Sequence, residues 1–263
     1  MNPMMTLEVN HLCCGYADKV IASDISFSVQ SGEVLCILGP NGVGKSTLFK
    51  SMLNLIPSLG GEICINAESI HSWSRKRLAT VLGYVPQASS TPFPFSVREM
   101  VAMGRTAHLG AFSFPSKGDW QQVDQALHRL GIAQLAERRF TELSGGEKQM
   151  VLIARSIAQA PALLAMDEPT ASLDFGNQVA VLRQVRQLAT DGFGIIMITH
   201  SPEQAFLCAS KVLLFRRNKP CLFGSVEEVV TEANLRDAYG VDVQIHQIGE
   251  RDGQPVHSCT PVV

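Results

Sequence analysis

Short apolar runs of strand length, rather than long amphipathic stretches, set the layout of this chain. Residues 33–38, 162–166 and 195–199 are nearly unbroken in apolar side chains, the texture of strands covered on both faces of a parallel sheet. Residues 81–85 read as another strand, and 60–65 restart strand structure after Gly60-Gly61. At the N-terminus residues 6–9 and 25–29 read as strands flanking the turn-like Gly15-Tyr16-Ala17-Asp18, and 211–215 with 221–224 form a last hairpin-like pair. Helical period appears at Leu48, Phe49, Met52, Leu53 and Ile56, at Met150, Ile153, Ala154 and Ile157, and over 179–188.

Between residues 88 and 160 the character changes. A loop over 89–95 shows no periodicity, and helical segments follow near 97–103, 119–130 and 133–137, with 116–119 as a cap region. The pattern predicts an α/β core from residues 1–87 and 161–225 that includes a small antiparallel N-terminal β-subdomain. A helical subdomain over 88–160 is inserted into it, and 226–263 form a C-terminal tail with a short helical stretch and a segment at 242–248.

The chain has 263 residues, 46% hydrophobic and 17% charged, which suits a globular α/β protein without a disorder signature. A net charge of −2 provides no general basic field for nucleic acid or anionic lipid. Met1 to Thr6 has neither a basic region nor an apolar core, so no signal peptide is expected. The apolar runs fall far short of the ~20 residues that span a bilayer, so a soluble chain is expected. Seven cysteines lack any CxxC spacing and read as reduced structural thiols of a cytoplasmic protein.

The chemistry gathers at a few places. Gly39-Pro40-Asn41-Gly42-Val43-Gly44-Lys45-Ser46-Thr47 lies between a strand and a helix. Its glycines permit a loop whose N–H groups turn inward on phosphates, Lys45 brings a mobile charge to the β/γ oxygens, and the Ser46 hydroxyl suits Mg²⁺. Asp167 and Glu168 end the strand at 162–166, a placement suited to holding a magnesium-bound water and polarising an attacking water. A solvated acidic turn is the blander alternative, which the phosphate loop in the same chain argues against. Gln87 and His200 also stand at strand ends, where a glutamine can reach Mg²⁺ or water, although alone neither says much. Finally, Ser144-Gly145-Gly146 opens a helix. Alone it would be an ordinary N-cap; beside a phosphate loop it offers a second anion site.

The run Leu143-Ser144-Gly145-Gly146-Glu147 resembles the signature of ATP-binding cassette (ABC) ATPases, and the other motifs follow in that family's order over about residues 5–225. Met166 departs from the pattern, where the family usually has Leu. The resemblance implies a P-loop NTPase fold with ATP and Mg²⁺ as cofactors. It assigns Tyr16 to adenine stacking, unless it is simply a packed turn tyrosine. It likewise assigns Gln87 to the Q-loop, Ser172 to Asp174 to the D-loop and His200 to the switch that meets the γ-phosphate. It further implies a head-to-tail homodimer, with each ATP between the Lys45 loop of one copy and Ser144, Gly145 and Gly146 of the other. The residues agree, since nothing beside the phosphate loop offers an arginine finger.

With one cassette and no membrane span, the chain reads as the energy subunit of a multi-protein importer. Its partners would be transmembrane permease subunits and, indirectly, a substrate-binding protein, and its place the cytoplasmic face of the plasma membrane. Met103-Gly104-Arg105-Thr106-Ala107-His108 and Phe114-Pro115-Ser116 resemble ATPases serving iron-siderophore, haem and corrinoid importers. A metal-ion or oxoanion importer such as one for molybdate, and a soluble iron–sulfur assembly ATPase, stay open. Phe93 and Phe95 have no periodic element to bury them, and the loop 88–95 is expected to dock the permease.

Overall fold

The computed structural model describes residues 4–17, 19–87, 94–110, 113–251 and 254–262. Strands β1 (Thr6–Tyr16) and β2 (Lys19–Gln30) form one long hairpin, followed by β3 (Val34–Leu38) and helix α1 (Lys45–Met52). Next come β4 (Gly60–Ile65), the two-residue β5 (Glu68–Ser69), α2 (Arg75–Val81) and β6 (Leu82–Val85). Helices α3 (Val97–Ala102), α4 (Lys117–Arg129) and α5 (Gly145–Ala158) then build the helical lobe. The chain returns through β7 (Leu163–Asp167), α6 (Phe175–Thr190), β8 (Gly194–Ile198) and α7 (Pro202–Cys208) to the hairpin β9 (Lys211–Arg216) and β10 (Lys219–Ser225). The C-terminal piece comprises α8 (Val226–Val229), α9 (Glu232–Tyr239), β11 (Val243–Arg251) and β12 (Gln254–Pro261).

Among the described residues the main sheet has the order β10-β9-β3-β8-β7-β6. It is parallel from β9 to β6, with antiparallel β10 on one edge. Alternate residues of a strand serve different cores. Val34, Cys36 and Leu38 face a layer with α5, α6 and the helical lobe. Leu35 and Ile37 face α1 and the antiparallel sheet β2-β1-β4-β5. Two-sided burial explains why these strands read as continuous apolar runs. Within the helical lobe, Ser96, Ser116 and Ser144 each close a reciprocal capping box with the residue three positions on.

The structure departs from the sequence pattern in instructive places. The first hairpin runs well past 6–9 and 25–29, because bulges between Val9 and Leu12 and again near Cys14 break the alternation. His11 and Asp24 sit there with φ of 48° and 56°. Helix α2 carries no apolar stripe, since only Leu78 of it is buried; the N-cap Ser74 starts it by accepting from the Arg77 N–H. Phe95, expected to be exposed, is half-buried against the core of the helical lobe, and its carbonyl accepts from Phe140 N–H at 2.9 Å. Phe93 lies outside the described residues. All seven cysteines are described and none is bridged; burial pushes the Cys14 thiol to about 11.

The segment 103–108 has a structural task. Arg105 donates through Nε to Asp119 at 2.8 Å and through Nη1 to the Ala158 carbonyl at 2.8 Å. Both charged side chains are only 11% exposed. His108 donates to the Gln159 carbonyl at 2.7 Å. At Gly104 a Cβ would stand 2.0 Å from the Arg155 carbonyl oxygen, so only glycine fits. The segment therefore locks the end of α5 against the start of α4.

Hydrogen bonds from Ser116 and the Arg105 guanidinium hold the Asp119 carboxyl well below its ordinary 3.8. A depressed carboxyl adds stability above its unfolded pKa and loses it as pH falls toward the folded value. Asp119→Asn should therefore melt below wild type at pH 7. The difference between the two should shrink once pH drops under about 4, read by thermal melts across pH.

Candidate active site

Register delivers the polar groups to one edge. Ile37 of β3 stands opposite Ile198 of β8, and Ile198 opposite Asp167 of β7; Val85 of β6 pairs one step lower, with Met166. The residues that leave these strands are Gly39, His200, Glu168 and Gln87, and they emerge along the C-terminal edge of four neighbouring strands. That edge is where open parallel sheets bind ligands.

The phosphate loop is held by its glycines and its lysine. Gly39, Gly42 and Gly44 take φ of 144°, 81° and 111°, a region L side chains rarely adopt. Gly44 is also the N-cap of α1, so the free N–H groups of that helix begin at Lys45. Lys45 is buried, and its Nζ donates to the carbonyls of Gly39 at 2.6 Å and Pro40 at 2.8 Å. Burial lowers its pKa, while Glu168 and Asp167 act the other way. Asn41, Gly42 and Ser46 are exposed, Val43 and Pro40 half-buried, and Thr47 buried.

Opposite stand the two carboxylates. Burial and the neighbouring Glu168 raise the pKa of Asp167, against a hydrogen bond from Tyr84 and the charge of Lys45. Tyr84, one strand over on β6, escaped the sequence reading because nothing local marks it. Glu168 has φ of 46°, a strained position for a non-glycine residue. Its N–H donates to the Ile198 carbonyl at 3.2 Å, and its Oε2 lies 3.8 Å from His200 Nδ1. Exposed Gln87 follows β6. Tyr16, 47% exposed at the end of β1, accepts from Lys50 Nζ of α1 at 3.2 Å.

Ser144, Gly145 and Gly146 lie elsewhere, at the start of α5 in the helical lobe. Ser144 is occupied by its capping box: its N–H and its Oγ each lie 2.8 Å from Glu147 Oε2. Ser144 and Gly145 are exposed, whereas Gly146 is buried. A Cβ on Gly146 would sit 2.2 Å from Asn177 Oδ1 of α6, so any side chain there would have to displace Asn177. Asn177 is itself bonded to the α6 N-cap Asp174 at 2.9 Å, which joins the signature to the 172–174 turn.

This arrangement, a phosphate loop and carboxylate pair on one sheet edge with a separate helix start in an inserted lobe, defines a nucleotide-hydrolysing cassette. The ABC transporter family profile matches residues 22–171. An ABC transporter ATP-binding protein of Haemophilus influenzae is 42% identical over 93% of each chain. The iron(3+)-hydroxamate import ATP-binding protein FhuC of Bacillus subtilis is 33% identical over 92% of this chain and 90% of its own. Relatives named for import of hemin, cobalamin and molybdate match at 35%, 36% and 36%. A solved structure described as an inward-facing metal-chelate type ABC transporter superposes with a TM-score of 0.87 at 33% identity, covering 98% of each chain. The chain belongs to the ABC transporter family and is one of its ATP-hydrolysing cassettes.

The loop glycines differ in what surrounds them. At Gly39 a Cβ would meet Phe215 Cβ at 2.7 Å and its carbonyl oxygen at 2.9 Å, while at Gly42 nothing lies within 4 Å. Gly42→Ala should lose only the left-handed backbone preference, about 1–2 kcal/mol. Gly39→Ala adds a backbone clash and should unfold at clearly lower urea. Equal midpoints would show that packing against Phe215 is immaterial.

Proposed function

We propose that this chain powers an importer for an iron complex such as a siderophore, haem or a corrinoid, hydrolysing ATP for a separate membrane permease. The observation that carries the mechanism is the separation of two helix starts. One opens α1 behind the phosphate loop on the sheet edge; the other opens α5 in the helical lobe. Two copies arranged head to tail would bring the second of these onto the first. The exposed Phe175, 83% accessible beside Asp174, supports a partner surface there.

In this reading Lys45 and the N–H groups from Gly42 to Thr47 hold the phosphates, with Gly39, Pro40 and Asn41 shaping the loop. Tyr16 stacks on the base, and Ser144, Gly145 and Gly146 of the second copy close the site. Glu168 orients and polarises the attacking water, while Gln87 and His200 report on the terminal phosphate. Ser46, Asp167 and Gln87 offer hard oxygen ligands that suit Mg²⁺. The buried carboxylate pair, with Asp167 raised by Glu168, is the kind of excess negative charge a divalent cation relieves. When bound, Mg²⁺ would neutralise phosphate charge.

For the permease, with Phe95 half-buried, the candidate docking surface is a separate groove. It lies between the core and the helical lobe and is lined by Leu53, Leu55, Leu78, Ala79, Tyr84 and Met103; Leu55 is 54% and Met103 40% exposed. Such a seam suits a short helix of a membrane subunit. Among the described residues no helix is long and apolar enough to cross a membrane; in this reading the permease holds the chain peripherally on the cytoplasmic face of the plasma membrane. A substrate-binding protein would act on the far side.

The relatives named for iron(3+)-hydroxamate and hemin import support the iron-complex reading. The molybdate relative supports an oxoanion importer as a second reading. Reconstituted with its permease, the complex should take up a ferric hydroxamate, haem or a corrinoid in preference to molybdate; molybdate uptake alone would select the second reading. Glu168→Gln should keep ATP affinity, cut turnover by on the order of 10²-fold or more and hold an ATP-bound dimer on size exclusion. Wild-type turnover would remove Glu168 from the mechanism.

A further inference from the structure

Among its described contacts, the C-terminal piece hydrogen-bonds the backbone of the nucleotide edge through the side chain of Tyr239. Tyr239 ends α9, and its hydroxyl accepts from the backbone N–H of Gly39 at 3.1 Å. The same oxygen lies 3.4 Å from the His200 carbonyl, to which it donates. Gly39 and His200 leave the adjacent strands β3 and β8, so one hydroxyl spans the phosphate loop and the segment carrying His200. Gly39 is then held through both its N–H and its carbonyl, because Lys45 Nζ donates to that carbonyl at 2.6 Å.

The tyrosine is fixed well enough to transmit position. Its ring is half-buried against the core, and burial pushes its phenol to about 12, so the hydroxyl keeps its proton through the neutral range. Asp237, two residues earlier, is paired with Arg216 at 3.2 Å and with Lys219, which pins α9 to the β9–β10 hairpin. The C-terminal hairpin also grips the helix that follows His200. Phe206 of α7 packs on His257 of β12 with ring centroids 5.3 Å apart.

We propose that Tyr239 is a positioning residue that ties the phosphate loop to His200, so that the C-terminal piece sets the geometry of the switch. This rests on the reading of His200 as the group that meets the terminal phosphate. Tyr239 acts through the two backbones it bridges. The hydroxyl is the smallest unit that can be removed: Tyr239→Phe keeps the ring and its packing.

In Mg²⁺-ATP hydrolysis by the full chain, Tyr239→Phe should lower kcat about three- to tenfold, the size of one neutral hydrogen bond. KM for ATP should stay within about twofold. In a His200→Ala background the same substitution should change kcat no further, because both act on one element. Amide hydrogen exchange over 39–45 and 199–208 should become faster in the phenylalanine variant. A role confined to stability would lower Tm and leave kcat and the exchange of these two segments unchanged, and that result overturns the proposal. If the wild type hydrolyses no ATP, the functional reading fails. Exchange still decides the coupling: faster exchange in both segments supports it, and unchanged exchange overturns it.

Discussion

Burial of the parallel sheet on both faces is the constraint on which the rest depends. A strand sandwiched between α1 with the antiparallel sheet and the layer of α5 and α6 has no room for polar side chains along its length. Polar chemistry is thereby driven to the strand ends, and parallel register sends those ends to the same edge. Asp167, Glu168, His200, Gln87 and the phosphate loop owe their proximity to that pairing. The cost of gathering charge there appears in Lys45, lowered by burial, and Asp167, raised by burial and by Glu168.

The helical lobe carries the second helix start, and its rigidity comes from a few buried polar contacts. Arg105 and Asp119 are nearly enclosed yet paired with each other and further hydrogen-bonded to the Ala158 carbonyl and the Ser116 N–H, the condition under which a buried pair specifies one arrangement without leaving an orphan charge. Gly104 is required by the Arg155 backbone, and a side chain at Gly146 would have to displace Asn177 of the same chain. Residues that mark a subfamily or a signature can thus be held in place by packing as well as by ligand. At position 146 the two demands coincide, since the glycine that fits Asn177 also opens the start of α5.

The C-terminal piece joins this system from the other side. Its helices lie along β9 and its hairpin against α7, so both segments next to the phosphate loop and His200 are backed by residues from the end of the chain. The tail is therefore part of the frame of the active edge.

Much of the fold was legible because its causes are local. Continuous apolar runs announced β3, β7 and β8, glycine spacing announced the phosphate loop, and Ser144-Gly145-Gly146 followed by helical spacing from Met150 announced α5. The family resemblance then ordered the motifs. Where the local signal failed, a tertiary reason is visible. Bulges at His11 and Cys14 erased the alternation of β1. Helix α2 buries a single leucine, and Phe95 packs on a core assembled from distant helices. Tyr84 and Tyr239 carried no sequence mark, because their partners, Asp167 and Gly39, are brought to them only by strand order and by the docking of α9. Sequence determined which groups stand at strand ends. Only the packed sheet decided which of them meet, since register and layer contacts join residues that lie as far apart as Gly39 and Tyr239.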